Sequence, residues 1–517
     1  MIEITGSSLT LKEVNETARL NEPVSLAAQA RKAAESSFNR VLDIVEADKP
    51  VYGINTGYGV FADQTISKKD RKRLNRNLII SHAVGTGDSL PIEVVRAAML
   101  IRMNTLAKGY SGVNPKIIEL LVGMLNKGVT PVVFSQGSLG SSGDLCMLAQ
   151  MGLVFTCNQE NSVKDSGSAF YKGEIYPGGM AMKKAGLERL VLDHKDGLAI
   201  INGASFTAAA LAIACFDAAF ACDLADIAAS ISIEALLGKS DPYDPRLHAA
   251  RGMAGQIASA ANIQKLIKGS NLVNSHAHVQ DAYSLRCAPQ VHGAVRDASA
   301  HASRVLEQEL NAATDNPLIF ENGDVLSGGN FHGEPLGLVG DYLSSALTEL
   351  GAISERRSFR LLDKNLNNGL PPMLVDDGKT AGLNSGVMML QYTAASLSLE
   401  NQTLAAPDSV RSLPTSANQE DHNANSWTAA RHASEVLRNT IKILGIELFT
   451  SCRALQIRMK SGLHLKPTKR NADVLELINE RIPYAGPDAL WSVQMEKLYN
   501  LLLDDTEFRK HLQAVLN

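Results

Sequence analysis

Apolar positions along the chain follow two different patterns, which change over near residue 204. Downstream, the segments 204–237, 293–313, 335–363, 382–406 and 427–461 carry apolar or small residues at i, i+3, i+4 and i+7. That is the period of one helix face, so each segment predicts a helix. Several exceed the roughly 10–14 residues usual in globular proteins. They are rich in Ala, Ser and Gly, small side chains that let helices pack closely in an extended bundle. Thr314-Asp315-Asn316-Pro317, Gly328-Gly329-Asn330 and Leu370-Pro371-Pro372 supply the breaks. Upstream, short periodic segments are interrupted by the turns GINTGYG (53–59), HAVGTGD (82–88) and QGSLGSSGD (136–144). A small strand is expected around Glu174-Ile175-Tyr176. The pattern predicts a mainly α protein, with a glycine-rich N-terminal domain over 1–203 and a long-helix bundle over 204–517.

Composition narrows the functional classes. A chain of 517 residues can bury a large core. Its 50 basic and 54 acidic residues leave a formal charge of -4, which gives no electrostatic reason to expect nucleic acid or an anionic membrane as partner. The six cysteines are scattered without a C-x-x-C pair, which argues against a disulfide framework or zinc site and fits a reducing, cytoplasmic location. The N-terminus MIEITGSSLTLKEV lacks the basic and apolar regions of a signal peptide. The most apolar stretch, Ala208 to Ile233, is interrupted by Asp217, Asp223 and Asp226, so a buried helix is expected there rather than a bilayer span.

Glycine clusters often cradle phosphates, but Gly238-Lys239-Ser240 lacks the upstream glycine of a phosphate loop, and no G-x-G-x-x-G stands in a βαβ context. A nucleophile elbow G-x-S-x-G fails at Asp144. What remains is GSLGSSGDL, Gly137 to Leu145, where glycines permit a tight, strained turn. The amide nitrogen of Gly143, unhindered by a Cβ, is suited to attack the carbonyl carbon of Ser141. Loss of water there, and dehydration of Ser142, would yield a methylidene imidazolone, an electrophile that no natural side chain provides. Taken alone, the loop is equally well read as a glycine-serine turn without chemistry.

Other blocks carry a resemblance: Tyr52-Gly53-Ile54-Asn55-Thr56-Gly57, INGAS (201–205), QDAYSLRCAPQV (280–291), TDNP (314–317), GGNFHGEP (328–335) and SLPTSANQEDH (412–422). With GSLGSSGDL, in this order, the sequence resembles the histidine and phenylalanine ammonia-lyase family over nearly its whole length. The resemblance implies an aspartase/fumarase-like superhelical core and the prosthetic group 4-methylidene-imidazol-5-one (MIO), formed from Ser141, Ser142 and Gly143. The family usually has alanine where Ser141 stands; the ring uses only that residue's carbonyl, so serine should be tolerated. Tyr52 matches the family's catalytic tyrosine. As a base at neutral pH its phenol, ordinarily near 10, needs a depressed pKa. Arg286 matches the carboxylate clamp, suited to bidentate binding. Tyr283, Asn202, Gln280 and Asn316 correspond to residues that position cofactor and substrate, Phe331 to a lining of the cofactor pocket, and Met388 to a pocket methionine.

Ser81-His82 and Glu420 match members acting on histidine, whereas phenylalanine enzymes usually carry Gln in place of Glu420. A carboxylate accepts from an imidazole N–H that a phenyl ring lacks. Elimination of ammonia from L-histidine to urocanate is therefore the preferred expectation. A phenylalanine or tyrosine lyase, a 2,3-aminomutase and an inactive helical scaffold remain the rivals. The resemblance also implies a homotetramer with shared active sites. His276-Ala277-His278 has a spacing that can bind a metal, but no carboxylate or cysteine at ligand spacing accompanies it in sequence, and no metal is expected.

Overall fold

A computed structural model of the chain describes residues 1–517 apart from 48–49, 58, 62, 377, 461–464 and 484–485. Tyr58 of the GINTGYG turn and position 461, at the end of the last expected helix, lie outside the described residues. The chain forms two compact units. One gathers Met1–Phe216, Ala302–Asp341 and Pro407–Arg431; the other gathers Asp217–His301, Tyr342–Ala406 and His432–Asn517. The division expected at 203/204 cuts the sequence once. Each unit instead collects three segments, with boundaries inside the helices Ser205–Ala235, Ala288–Leu310, Glu334–Leu362 and Ser426–Lys460.

The long helices fall where the periodicity predicts, with two informative shifts. The helix expected over 382–406 runs only from Met388 to Leu404, because Gly382 and Gly386 sit at φ 94° and 64°, outside helical space. The one expected from 293 begins at Ala288, since a proline at 289 is tolerated in a first turn, where its missing N–H has no intrahelical acceptor. Ser205–Ala235 is, among the described residues, the helix long and apolar enough to cross a membrane, and 83% of its most apolar window is buried. Its Ala-rich surface is a core surface.

The first unit is more helical than its glycine-rich turns suggest, with Ala28–Glu46, Arg71–His82, Ile92–Ala107, Pro115–Lys127 and Leu145–Phe155 all helical. Its strands are short. The expected strand is Glu174–Pro177, the edge of a three-stranded antiparallel sheet with Ser168–Tyr171 and Thr130–Pro131. Helix Ile92–Ala107 is buried on every side from Val94 onward, Arg96 and Arg102 included, and therefore has no polar face for a periodicity reading to find. In the second unit a buried polar chain crosslinks four helices. His292 Nδ1 lies 2.7 Å from Asp226 Oδ1, and Arg357 donates to both Glu447 oxygens at 2.5 and 2.8 Å. Removing one partner of such a pair leaves an uncompensated buried charge, at about 3–5 kcal/mol.

Candidate active site

The tripeptide Ser141-Ser142-Gly143 bridges strand Phe134–Gln136 and helix Leu145–Phe155. Gly143 has φ 87° and forms a parallel bridge with Gly203. A Cβ at Gly143 would fall 2.2 Å from the backbone N and C of Gly203, so only glycine allows this approach. The contact is stitched by Asp144 N donating to Gly203 O at 2.9 Å, and by two donors on the Ser142 carbonyl. These are Asn202 Nδ2 at 2.8 Å and Gly203 N at 3.3 Å.

Asp144 anchors the turn from below. Its buried carboxylate accepts from Ser138 Oγ at 2.8 Å, Thr207 N at 2.8 Å and Thr207 Oγ1 at 3.0 Å. The Thr207 amide belongs to the first turn of helix Ser205–Ala235, where the helix dipole favours an anion. Burial raises the Asp144 pKa, and these hydrogen bonds oppose the rise.

Glu420 faces the tripeptide. Ser142 Oγ donates to Glu420 Oε1 at 2.6 Å, and Thr415 Oγ1 donates to Glu420 Oε2 at 2.9 Å. His82 closes helix Arg71–His82, with Nδ1 2.8 Å from Leu78 O and 3.1 Å from Ser81 Oγ. Burial lowers the His82 pKa, partly offset by the Leu78 carbonyl and the Glu420 carboxylate, so the ring is neutral at pH 7. Tyr52 stands in a turn whose Gly53 packs against Leu198 and Pro317, next to the Asp315-Asn316 corner. There the fully buried Lys195 pairs with Asp315. Asn316 Oδ1 accepts from Gly328 N at 2.7 Å, tying that corner to the loop that carries half-buried Phe331.

The requirement placed on Tyr52 is not supplied by this chain's own charges. Tyr52 as a base calls for a depressed pKa, but within this chain burial raises it. The Glu420 and Asp315 carboxylates add to the rise, and only the Gly59 backbone hydrogen bond opposes it. Nearby negative charge penalises a phenolate, so the phenol stays protonated.

The first unit thus brings together Tyr52, His82, Ser141, Ser142, Gly143, Asn202, Asn316 and Glu420. Gln280, Tyr283, Arg286 and Met388 belong to the second unit. Within it, Arg286 stacks on the Tyr283 ring at 4.5 Å. With its amide turned so that oxygen faces the guanidinium, Gln280 accepts from Arg286 Nη1, Nη2 and Nε at 2.6, 2.9 and 3.1 Å. The guanidinium is thereby pre-oriented. Met388 opens its helix and lines a cavity of about 400 Å³ with Phe359, Pro372 and Tyr392. The His276/His278 pair has a carboxylate neighbour that the spacing did not suggest: Asp281 Oδ1 is 2.7 Å from His278 Nε2. That nitrogen points away from the Nδ1 atoms the two rings share at 2.7 Å. Among the described residues no group of three His, Cys, Asp or Glu side chains converges on a metal position.

Sequence reasoning passed over Thr415, Lys195 and Arg102. Thr415 stands inside the quoted SLPTSANQEDH block and could have been found there. Fully buried Arg102, which donates to the Asn202 carbonyl, and Lys195 stand in no quoted block. Charges on apolar segments carry no local signal of the partner they meet.

A backbone turn built for close approach, with donors on its carbonyl and a carboxylate at its hydroxyl, sits on a frame of long helices. Residues 9–480 match the family described as aromatic amino acid lyase. That match places the chain among carbon–nitrogen lyases. The chain belongs to the aromatic amino acid lyase family. The histidine ammonia-lyase of Treponema denticola is 45% identical over 506 residues, spanning 98% of this chain and 97% of that protein. The histidine ammonia-lyase of Caldanaerobacter subterraneus subsp. tengcongensis is 48% identical over 484 residues, 93% and 92% of the two chains. Among solved structures, tyrosine aminomutase from Streptomyces globisporus matches with TM-score 0.91 at 33% identity, covering 99% of this chain and 98% of that one. Histidine ammonia-lyase from Trypanosoma cruzi matches with TM-score 0.89 at 32% identity, covering 99% and 95%.

Proposed function

We propose that this chain is a histidine ammonia-lyase, converting L-histidine to trans-urocanate and ammonia with an MIO group made from Ser141-Ser142-Gly143. In forming it, the Gly143 nitrogen adds to the Ser141 carbonyl carbon, whose oxygen leaves as water. Ser142 then loses its Oγ with its Cα hydrogen as a second water. The residues present fit the group. Gly143 is held where no Cβ is tolerated, and the Ser142 carbonyl, which becomes the ring carbonyl, already receives Asn202 Nδ2 and Gly203 N. Once formed, the group supplies an electrophile that turns the substrate amine into a better leaving group. Donors fixed beforehand on the carbonyl oxygen stabilise charge that develops there.

The observation that carries the substrate assignment is the position of Glu420, 2.6 Å from the Ser142 hydroxyl and electrostatically coupled to His82 and Tyr52. A carboxylate beside the reacting carbon accepts from an imidazole N–H. A phenyl ring leaves it unpaired, a mismatch a polar site rejects by as much as ~10⁴–10⁵. The β-proton is assigned to Tyr52, whose phenol must first ionise against the burial and the two carboxylates that raise its pKa within this chain. In the first unit Asn316 and Phe331 belong to the cofactor-bearing site; in the second, Arg286, oriented by Gln280 and Tyr283, is suited to hold a carboxylate, and Met388 lines its own cavity. The 45% and 48% identities to two bacterial histidine ammonia-lyases over nearly the whole chain support elimination from histidine.

We further propose a homotetramer that shares its sites. Tyr342, Met389, Tyr392 and Leu399 leave 51–64% of their surfaces exposed on two long helices, an apolar display suited to packing against further copies. All six cysteines are free, which supports a reducing cytoplasm. Intact-mass measurement tests the cofactor proposal. The wild-type chain should weigh less than its sequence by two waters, and Ser142→Ala should not lose the second water or turn over histidine. An unmodified wild-type mass would overturn it.

A further inference from the structure

Ser141 stands where the family usually has alanine, and its hydroxyl has a specific partner. Ala424 N donates to Ser141 Oγ at 2.8 Å, and both residues are buried, at 4% and 0% exposure. We propose that the Ser141 hydroxyl survives cofactor formation and acts as a positioning group, fastening the Glu420-bearing segment to the tripeptide. The inference rests on the reading of Glu420 as the partner of the substrate imidazole.

The segment needs such a fastening. Ser416, Ala417 and Asn418 all lie at positive φ, 50°, 53° and 65°, in a largely exposed loop. Non-glycine residues hold this conformation only when their surroundings enforce it. Within the loop, Thr415 N donates to Glu420 O at 2.8 Å and Glu420 N to Thr415 O at 3.3 Å, closing it on itself. With the Thr415 hydroxyl also on the Glu420 carboxylate, loop and carboxylate move as one piece. Its placement is set at the base, where Asn423 N donates to Ser412 Oγ at 2.7 Å and Ala424 N to Ser141 Oγ. One residue before Ser141, Gly140 O accepts from Ser426 Oγ at 3.0 Å and Gly333 N at 3.1 Å. An alanine at 141 keeps the Gly140 tie and loses the one nearer Glu420. The Ser141 oxygen is engaged as an acceptor, whereas ring formation uses only this residue's carbonyl. The ring closed by Gly143 N on the Ser141 carbonyl contains the Ser142 Cα, so the methylidene comes from the Ser142 side chain and the Ser141 hydroxyl is retained.

The test compares wild-type enzyme with Ser141→Ala, a variant expected to fold and mature because alanine is usual there. Two ligands that share a carboxylate and differ in the ring, imidazolepropionate and phenylpropionate, are titrated by equilibrium competition. Both proteins should weigh two waters less than their sequences. The variant should bind imidazolepropionate about tenfold more weakly, the worth of one buried hydrogen bond. Phenylpropionate binding should be unchanged, the melting temperature should fall slightly because the buried Ala424 N–H loses its acceptor, and the KM for histidine should rise with little change in kcat. Unaltered binding of both ligands, equal weakening of both, or failure of Ser141→Ala to lose both waters would overturn the proposal. A mature wild-type enzyme with no preference for imidazolepropionate would refute the reading of Glu420 itself, and this proposal with it.

Discussion

Replacing Gly143 with alanine perturbs the site at its tightest contact. The new Cβ would lie 2.2 Å from the N and C of Gly203 and 2.3 Å from its O, all of them backbone atoms that cannot swing aside. Relief requires the two segments to part by more than about 1 Å, toward ordinary contact distances of about 3.5 Å. Three hydrogen bonds span the gap: Asp144 N to Gly203 O, Gly203 N to Ser142 O and Asn202 Nδ2 to Ser142 O. At about 1 kcal/mol each their loss is about 3 kcal/mol. Holding alanine at φ 87° adds about 1–2 kcal/mol. The total of about 4–5 kcal/mol falls short of a typical fold's 5–15 kcal/mol, so the protein should fold while the turn opens. A displacement of 1 Å costs about 100-fold in a positioned reaction, and ring closure between residues 143 and 141 is such a reaction. Gly143→Ala should therefore retain its helical circular dichroism, fail to lose two waters by intact mass, and fall at least about 100-fold in turnover of histidine. Complete loss of two waters together with wild-type turnover would refute this account of the turn.

Asn202→Ala removes the shorter donor on the Ser142 carbonyl, and kcat for histidine should fall about 10²–10³-fold in steady-state assays of mature enzyme. Glu420→Gln exchanges a charged acceptor for a neutral one. It should lower kcat/KM for histidine about 10- to 100-fold while cofactor maturation, read by mass, is unchanged. Asp196, whose buried carboxyl accepts from Asn114 N and Asp193 N, has its pKa pushed by burial to about 7. Its folded pKa thus lies above the unfolded value of about 3.9. It contributes stability that is fully present below about pH 4 and lost as pH rises through 7, on the order of 4 kcal/mol. Asp196→Asn should flatten the denaturant-midpoint profile between pH 4 and 7; parallel profiles for variant and wild type would contradict the assignment.

What the sequence discloses follows from how local each feature is. The long helices are legible because their periodicity and their Gly and Pro breaks are properties of consecutive residues, as the start at Met388 after Gly386 illustrates. Ser141-Ser142-Gly143 is legible as a strained turn, and the surrounding blocks make its chemistry recognisable. The segment that closes on Gly143 is quoted as a block, INGAS, but nothing local says that Gly203 meets Gly143. The environment of Tyr52 is invisible for the same reason. Its pKa is set by burial with Glu420 and Asp315, residues hundreds of positions away, and the direction is opposite to the one its role calls for. Helix Ile92–Ala107, buried all round, offers no face to read, so Arg102 beneath Asn202 emerges only from the structure.

The most direct test supplies L-histidine, L-phenylalanine and L-tyrosine in parallel to mature enzyme. Ammonia release and ultraviolet absorbance are followed, and the products are identified by mass and chromatography. The account predicts urocanate and ammonia in equal amounts from histidine, with negligible product from the other two and none from Ser142→Ala. Turnover of phenylalanine or tyrosine in preference to histidine, or accumulation of a β-amino acid without free ammonia, would contradict it.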